Sequence, residues 1–222
     1  VIKDPDGLVF ETFKNGPLNF LKNSKTFVKN GIYTYDVFFD MGGGIDLADF
    51  SGLVDIAGVT YDYQKGSVIK GSAGTDTLLN AEIIYGTAFS DTFYGTIENV
   101  GITYYGYKKG VDTIDKDIVS YETYVSSDPS DTKGITIDFT GVNIVVFKKD
   151  GKTKDTLIDI EEVRASNYND IFKVAASLQS RSFDGFDGND TLDYSKIAES
   201  KKFEILSWSD TDGGIGNVLL GI

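Results

Sequence analysis

The sequence predicts an all-β fold built from repeated turns of chain. Short runs rich in β-branched and aromatic residues alternate with period two, as in Ile135–Phe139 and Val142–Phe147, and are bounded by Gly and Asp. The 222 residues include 25 Gly and only 3 Pro, with 41% hydrophobic residues, a composition typical of an ordered and turn-rich chain. Only Ser177 with its neighbours and the stretch Thr156–Arg164 have helix-compatible patterns, so very little helix is expected.

Internal repeats are the third observation that predicts this fold. Three blocks recur along the chain, and the first of them, Phe39–Ser51, matches its copy position for position without a gap. In the second block a Glu follows the first Asp at the same distance in both copies. The matching segments are Phe39–Ser51 with Phe183–Ser195, Gly58–Tyr63 with Gly134–Phe139, and Asp76–Asp91 with Asp155–Asp170.

The repeats predict the domain organisation. Residues 1–38 are less regular and are expected to form a capping or adjoining segment, whereas residues 39–222 form the repeat region. The repeat units are expected at about 39–95, 110–174 and 183–222, with an insertion near 96–109. The third unit is cut off, so the chain is interpreted as an excerpt of a larger protein.

The charge of the chain restricts its partners. Its 34 acidic and 21 basic residues give a formal net charge of −13, which repels nucleic acid and anionic lipid. Carboxylates at this density repel one another in a compact state, so a bound divalent cation would favour folding. An acidic soluble domain without bound ions is the alternative that charge alone leaves open.

The residues that the chain lacks exclude several kinds of chemistry. It has neither Cys nor His, which removes disulfides, imidazole zinc sites and Ser-His-Asp or Cys-His catalysis. No apolar run approaches the length of about 20 residues that spans a bilayer, so no transmembrane segment is predicted.

Glycine-rich turns that end in Asp carry the binding chemistry. Glycine permits left-handed backbone angles that aim carbonyl oxygens at one point, and the aspartate adds a charged oxygen there. Asp49 and Asp193 follow two of these turns and are further candidate oxygens. The best copies are Asp46 after Gly42 and Gly44, Asp76 after Gly71 and Gly74, and Asp190 after Gly185 and Gly188.

Weaker copies of the turn have fewer glycines. They end at Asp36, Asp91 and Asp112, which are also predicted metal ligands. Whether the turns at Asp155 and Asp170 bind metal is left open, because the first keeps only Gly151 and the second has Ala165 and Tyr168 in both glycine places. The repeated acids Glu82 and Glu161 are expected to bond a neighbouring turn rather than a metal ion.

This pattern resembles the repeats-in-toxin (RTX), or haemolysin-type, calcium-binding family, whose signature is Gly-Gly-x-Gly-x-Asp-x-U-x with U a large apolar residue. The resemblance covers roughly residues 31–222. It implies a parallel β-roll, a kind of β-solenoid, in which Ca²⁺ lies between stacked Gly/Asp turns. It also implies type I secretion from a bacterium, and folding on calcium outside the cell.

Two functions from different classes fit the sequence. The first is a calcium-binding structural or adhesive module of a secreted or cell-surface protein of the adhesin, surface-layer or toxin type. Its partners would be calcium ions and a cell-surface, glycan or self-assembly partner. The second is a calcium-dependent module of a secreted polysaccharide-acting enzyme, protease or lipase. The first is favoured, and no catalytic residue is predicted, because the notable acids occupy repeated turn positions.

Overall fold

The architecture was analysed in a computed structural model of the chain. Outside residues 38–197 the structure describes only the backbone of short strands. Within that range it describes both the backbone and the side chains of most residues. The described residues are 2–3, 9–14, 25–29, 32–36, 38–51, 53, 58–71, 74–106, 115–126, 128, 130–175, 184–197, 204–205 and 220–221.

The described residues form strands and turns and contain no α-helix, which confirms the all-β class. The helix considered for Thr156–Arg164 is wrong, because that stretch is occupied by two strands and a turn. Ser177 lies outside the described residues. The chain divides into two compact units: unit 1 is 1–94, 102–118 and 159–161, and unit 2 is 95–101, 119–158 and 162–222.

Unit 1 is a mixed parallel and antiparallel β structure. The segment predicted as a cap contributes β1 to β4, of which β2 pairs antiparallel with β6. The strands are β1 (Ile2–Lys3), β2 (Val9–Lys14), β3 (Lys25–Lys29), β4 (Ile32–Asp36), β5 (Phe38–Asp40), β6 (Leu47–Asp49), β7 (Thr60–Asp62), β8 (Ser67–Ile69), β9 (Thr75–Leu79), β10 (Ile83–Tyr85), β11 (Thr92–Tyr94) and β12 (Thr103–Tyr105).

Parallel pairing builds the core of unit 1. Strand β10 lies between β6 and β12 and pairs parallel with both, so that Ala48, Ile84 and Tyr104 are in register. All three side chains are fully buried, because alternate residues of a strand point to the same face. The Tyr104 ring also packs against Phe93 of β11, with 5.3 Å between centroids. The segment predicted as an insertion therefore supplies a core strand.

Unit 2 repeats this construction with its own strands. Strand β13 (Ile118–Ser120) begins in unit 1 and continues into unit 2. The remaining strands are β14 (Lys133–Asp138), β15 (Ile144–Phe147), β16 (Lys154–Ile158), β17 (Glu162–Arg164), β18 (Asn169–Lys173), β19 (Thr191–Asp193), β20 (Glu204–Ile205) and β21 (Leu220–Gly221).

The sheet of unit 2 is also mixed. Strand β18 pairs parallel with β14 and β19, whereas β14, β15 and β16 form an antiparallel meander. Ile137 and Phe172 are in register and buried. Leu192 of β19 continues this row, so the core again runs across neighbouring strands.

The repeated Asp-Thr-Leu block has the same orientation in both units. In β9 and β16 the Asp and Leu side chains are buried and the Thr between them is half-buried. Each strand follows an antiparallel partner across a tight turn, β8 before β9 and β15 before β16. The repetition in sequence thus places a carboxyl group, as well as an apolar group, in each core.

Close backbone approach makes one glycine essential to unit 1. A Cβ atom on Gly86 would lie 2.1 Å from Asp91 Oδ2 and 2.4 Å from the carbonyl oxygen of Gly106, whereas one on Gly43 would meet nothing within 4 Å. We expect Gly86→Ala to lower the free energy of unfolding by about 1–3 kcal/mol through overpacking. Gly43→Ala should change it by less than about 1 kcal/mol. Urea denaturation of both variants measures this, and equal stabilities would contradict the packing described here.

Candidate functional site

The turn between β5 and β6 holds a buried carboxyl group. Gly42 and Gly44 have φ of +82° and +141°, in the region that favours glycine. Asp46, at the end of the turn, is only 1% exposed, and its Oδ2 has no hydrogen-bond partner among the described residues. A Cβ on Gly44 would lie 3.7 Å from that oxygen, so Oδ2 faces the glycine turn. A buried carboxylate oxygen without a donor is costly, which indicates an additional cation or donor at this place.

Glu82 fastens this turn to the next strand. Its Oε2 accepts a hydrogen bond of 2.9 Å from the backbone N–H of Asp46, and the carbonyl of Asp46 accepts from the N–H groups of Glu82 and Ile83. The expectation that Glu82 bonds a neighbouring turn is confirmed. Glu82 therefore fixes the backbone of Asp46 and, through it, the direction of the Asp46 carboxylate.

The second copy of this clamp involves Asp117. Glu161 Oε2 accepts a hydrogen bond of 2.8 Å from the N–H of Asp117, and the Glu161 N–H bonds back to the Asp117 carbonyl. The expectation for Glu161 is thus confirmed as well. Asp117 is the structural counterpart of Asp46, and sequence reasoning missed it in favour of Asp112, which lies outside the described residues. The available signal was the spacing of Asp117 before Ile118, Val119 and Tyr121, which matches Asp46 before Leu47, Ala48 and Phe50.

Acids surround Asp117 in unit 1. The pKa of the Asp117 carboxyl is raised to about 8. Burial is the main cause, and the negative charges of Asp91, Asp115 and Glu161 raise it further. Asp115 Oδ2 is a second buried oxygen without a hydrogen-bond partner among the described residues. The neighbouring charges and burial therefore favour the neutral form of the Asp117 carboxyl. Among the described side chains, no group of three or more His, Cys, Asp or Glu is arranged to hold a metal ion.

The weaker turns at Asp91 and Asp170 satisfy their carboxyl groups from within the protein. Asp91 accepts hydrogen bonds from the N–H of Val59, at 2.6 Å, and from the N–H and hydroxyl of Thr87. Asp170 has the same partners in unit 2, namely Ile135 N–H and the N–H and hydroxyl of Ser166. Because a hydroxyl and backbone amides cover both oxygens, these two turns need no ion for hydrogen bonding.

A lysine neutralises the carboxyl group of each Asp-Thr-Leu block. Lys70 Nζ lies 2.7 Å from Asp76 Oδ2, and Lys148 Nζ contacts Asp155 Oδ2. Both lysines directly precede the tight turn that leads into β9 or β16. Gly71 and Gly74, with φ of +58° and +100°, therefore belong to a hairpin turn in which Lys70 supplies the positive charge. The calcium ion predicted at Asp76 stays a prediction.

The turn before β19 resembles the one at Asp46 in its backbone. Phe186 and Gly188 have φ of +58° and +122°, and a Cβ on Gly185 would lie 2.3 Å from Asp190 Oδ2. Asp190 Oδ1 accepts a hydrogen bond of 2.8 Å from the N–H of Asp170. The second carboxylate oxygen of Asp190 thus faces the glycine turn, as that of Asp46 does.

Two further predicted ligands bond their own chain. Asp49 Oδ1 accepts from Ser51, and Asp193 Oδ1 accepts from the N–H of Ser195 at 2.9 Å. These are local turns of the Asx type, which aspartates form without a metal ion. The side chain of Asp36 is outside the described residues, so its predicted role stays open along with that of Asp112.

No protein-family model matches the chain, and no curated protein matches it. In the part of the chain that the structure describes, no helix has the length and apolar character needed to cross a membrane. The described residues therefore define a class only: an all-β protein with internal repeats and buried acids at several of its turns, namely Asp46, Asp76, Asp91, Asp155 and Asp170.

The buried acids predict an unusual pH dependence. Burial raises the pKa of Asp91 to about 6 and that of Asp170 to about 7, and the unfolded chain has values near 3.9. Between about pH 4 and 8 the folded state binds more protons, so stability is greatest at the acidic end and is lost as pH rises through the folded pKa values. With chelator present, the melting temperature should fall from pH 5 to pH 8. Asp170→Asn should flatten this slope, and a melting temperature that rises over the range would contradict it.

Proposed function

We propose that the chain is a calcium-binding structural module, folded as a parallel β-roll, from a secreted or cell-surface bacterial protein. The observation that carries this proposal is the Asp46 carboxylate, whose buried Oδ2 faces a glycine turn and has no donor among the described residues. A cation in that turn would supply the missing charge, and the turn would supply backbone oxygens to the cation.

Calcium fits this turn better than other common metals. Ca²⁺ accepts six to eight oxygen ligands from carboxylates, backbone carbonyls and water, in flexible geometry. Zinc prefers Cys and His, and the chain has neither. A turn with a single carboxylate and several glycines offers mainly carbonyl oxygens, which explains how it could bind calcium without a cluster of three acids.

The β-roll is supported by the parallel pairing within each unit. Strands β6, β10 and β12 are parallel neighbours in the sheet and occur in this order along the chain, as strands from successive coils of a roll would. Strands β14, β18 and β19 have the same relation. The hairpins at β8–β9 and β15–β16 would then be excursions from the coils, fastened by their own lysines.

The turns differ in their support for calcium. Those at Asp46 and Asp190 have left-handed turn residues and a carboxylate oxygen directed at the turn, and they are the proposed sites. Asp91 already has three donors and Asp76 has a lysine, so the proposal does not depend on them. Asp49 and Asp193 each use Oδ1 for a serine contact, so the proposal does not depend on them either.

The biological setting follows from the same chemistry. A chain with a net charge of −13 folds more readily where calcium neutralises its turns, and calcium is abundant outside cells. Secretion in an unfolded state, by the type I route that RTX proteins use, would suit this coupling. The folded module would serve as an adhesive or surface-layer element with a cell-surface, glycan or self-assembly partner.

Substitution at the glycine turn tests the proposal. Asp46→Asn removes the charge that would hold the ion and should weaken calcium binding at that turn by about tenfold or more, equal to at least about 1.4 kcal/mol. Asp138→Asn is the matched control, because Asp138 bonds the backbone and hydroxyl of Thr140 and is not one of the predicted metal ligands. Isothermal titration calorimetry with CaCl₂ gives affinity and stoichiometry. Unchanged binding in Asp46→Asn, or no binding by the parent chain, would refute the proposal.

A further inference from the structure

Among the described residues of unit 2, the most deeply buried charged pair joins the end of β15 to β16. The side chains of Lys148 and Asp155 are both 0% exposed. Lys148 directly follows β15, and its N–H bonds to the carbonyl of Thr153 at 2.9 Å, so the hairpin turn holds the two residues opposite each other. Asp155 is in register with Val146, which is also fully buried. Water is therefore excluded from the contact between Nζ and the carboxyl group.

The neighbours of this pair are arranged around the carboxyl oxygen. The Tyr121 hydroxyl donates a hydrogen bond of 2.6 Å to Asp155 Oδ2, the same oxygen that Lys148 Nζ contacts. The Thr96 carbonyl accepts a second N–H of Lys148, and Nζ lies 4.8 Å from the centroid of the Tyr121 ring. The Thr96 carbonyl thus holds the Lys148 amine against the Asp155 carboxyl group, and the Tyr121 hydroxyl is the proton donor to Oδ2 of that group.

We propose that Lys148 and Asp155 condense to a side-chain amide that covalently closes the β15–β16 hairpin. The Nζ–Cγ bond forms and the Cγ–Oδ2 bond breaks. The ammonium loses two protons, and Oδ2 leaves with them as one water molecule, so atoms and charge balance without a cofactor or oxidant.

Three physical terms favour condensation over a permanent ion pair. Removing two ions from water is unfavourable, and the neutral amide abolishes both charges. Burial lowers the pKa of Lys148, which favours the nucleophilic free amine. Holding the reacting groups in contact gives a high effective concentration, and the hydrogen bond from Tyr121 assists departure of Oδ2.

The related pair in unit 1 differs in a useful way. Lys70 and Asp76 lie 2.7 Å apart after an equivalent strand, but the Lys70 side chain is 7% exposed. Partial access to water makes the ion pair there less costly. We therefore assign the cross-link to Lys148 and Asp155 alone, independently of whether calcium binds elsewhere.

Intact-mass spectrometry of the denatured, full 222-residue chain tests the proposal. The expected mass is lower than the sequence mass by one water molecule. Trypsin should leave the segment at Lys148 joined to that at Asp155, although it cleaves after Lys149, Lys152 and Lys154 between them. Lys148→Arg retains a cation but cannot form this amide, and should have the full sequence mass. Tyr121→Phe should show a smaller cross-linked fraction.

Two results would overturn the proposal. The first is the full sequence mass for the parent chain, which would mean that the pair remains ionic. The second is a water loss that persists in Lys148→Arg, because cyclisation at an Asp-Gly step such as Asp150-Gly151 also releases one water. Peptide mapping distinguishes that product, since it joins no two segments.

Discussion

The structure depends on how it satisfies carboxyl groups that its repeats bury. In the repeated Asp-Thr-Leu block, the strand alternation that buries the leucine buries the aspartate too, and Asp46, Asp91 and Asp170 are buried at other turns. A buried carboxylate without partners would cost several kcal/mol, a large part of the stability of any domain. The partners of these acids therefore decide which turns are complete within the protein.

Two solutions occur in the described residues. Thr87 and Ser166 cover Asp91 and Asp170 with a hydroxyl and backbone amides. Lys70 and Lys148 place an ammonium group against the acid that opens the following strand. The turn at Asp46 has neither device, since its glycines have no side chains to offer, and this contrast is the physical basis for proposing calcium there. The same repeats thus contain turns whose carboxyl groups are satisfied without an ion and a turn, at Asp46, where the carboxyl group is not.

The sequence predicted the all-β class and the repeated blocks, because period-two patterns and matched segments are local properties. It also indicated the bonding role of Glu82, from its fixed distance to Asp76. Other features depend on distant parts of the chain. Nothing near Asp117 shows that Glu161 bonds its backbone, since no glycine-rich turn directly precedes Asp117. Equally, nothing in the sequence around Lys70 or Lys148 indicates that the side chain points inward. The geometry of the hairpin determines its contact with the aspartate of the following strand.

Hydrogen–deuterium exchange, measured by mass spectrometry with calcium and then with chelator, tests the central claim most directly. The account predicts that calcium slows exchange in the Gly42–Asp46 turn and in β6. The hairpin of β15 and β16, fastened by Lys148, should exchange almost equally in both conditions. Magnesium at the same concentration should protect the turn less, because it requires stricter octahedral geometry. Equal exchange of the Gly42–Asp46 turn with and without calcium would contradict the account.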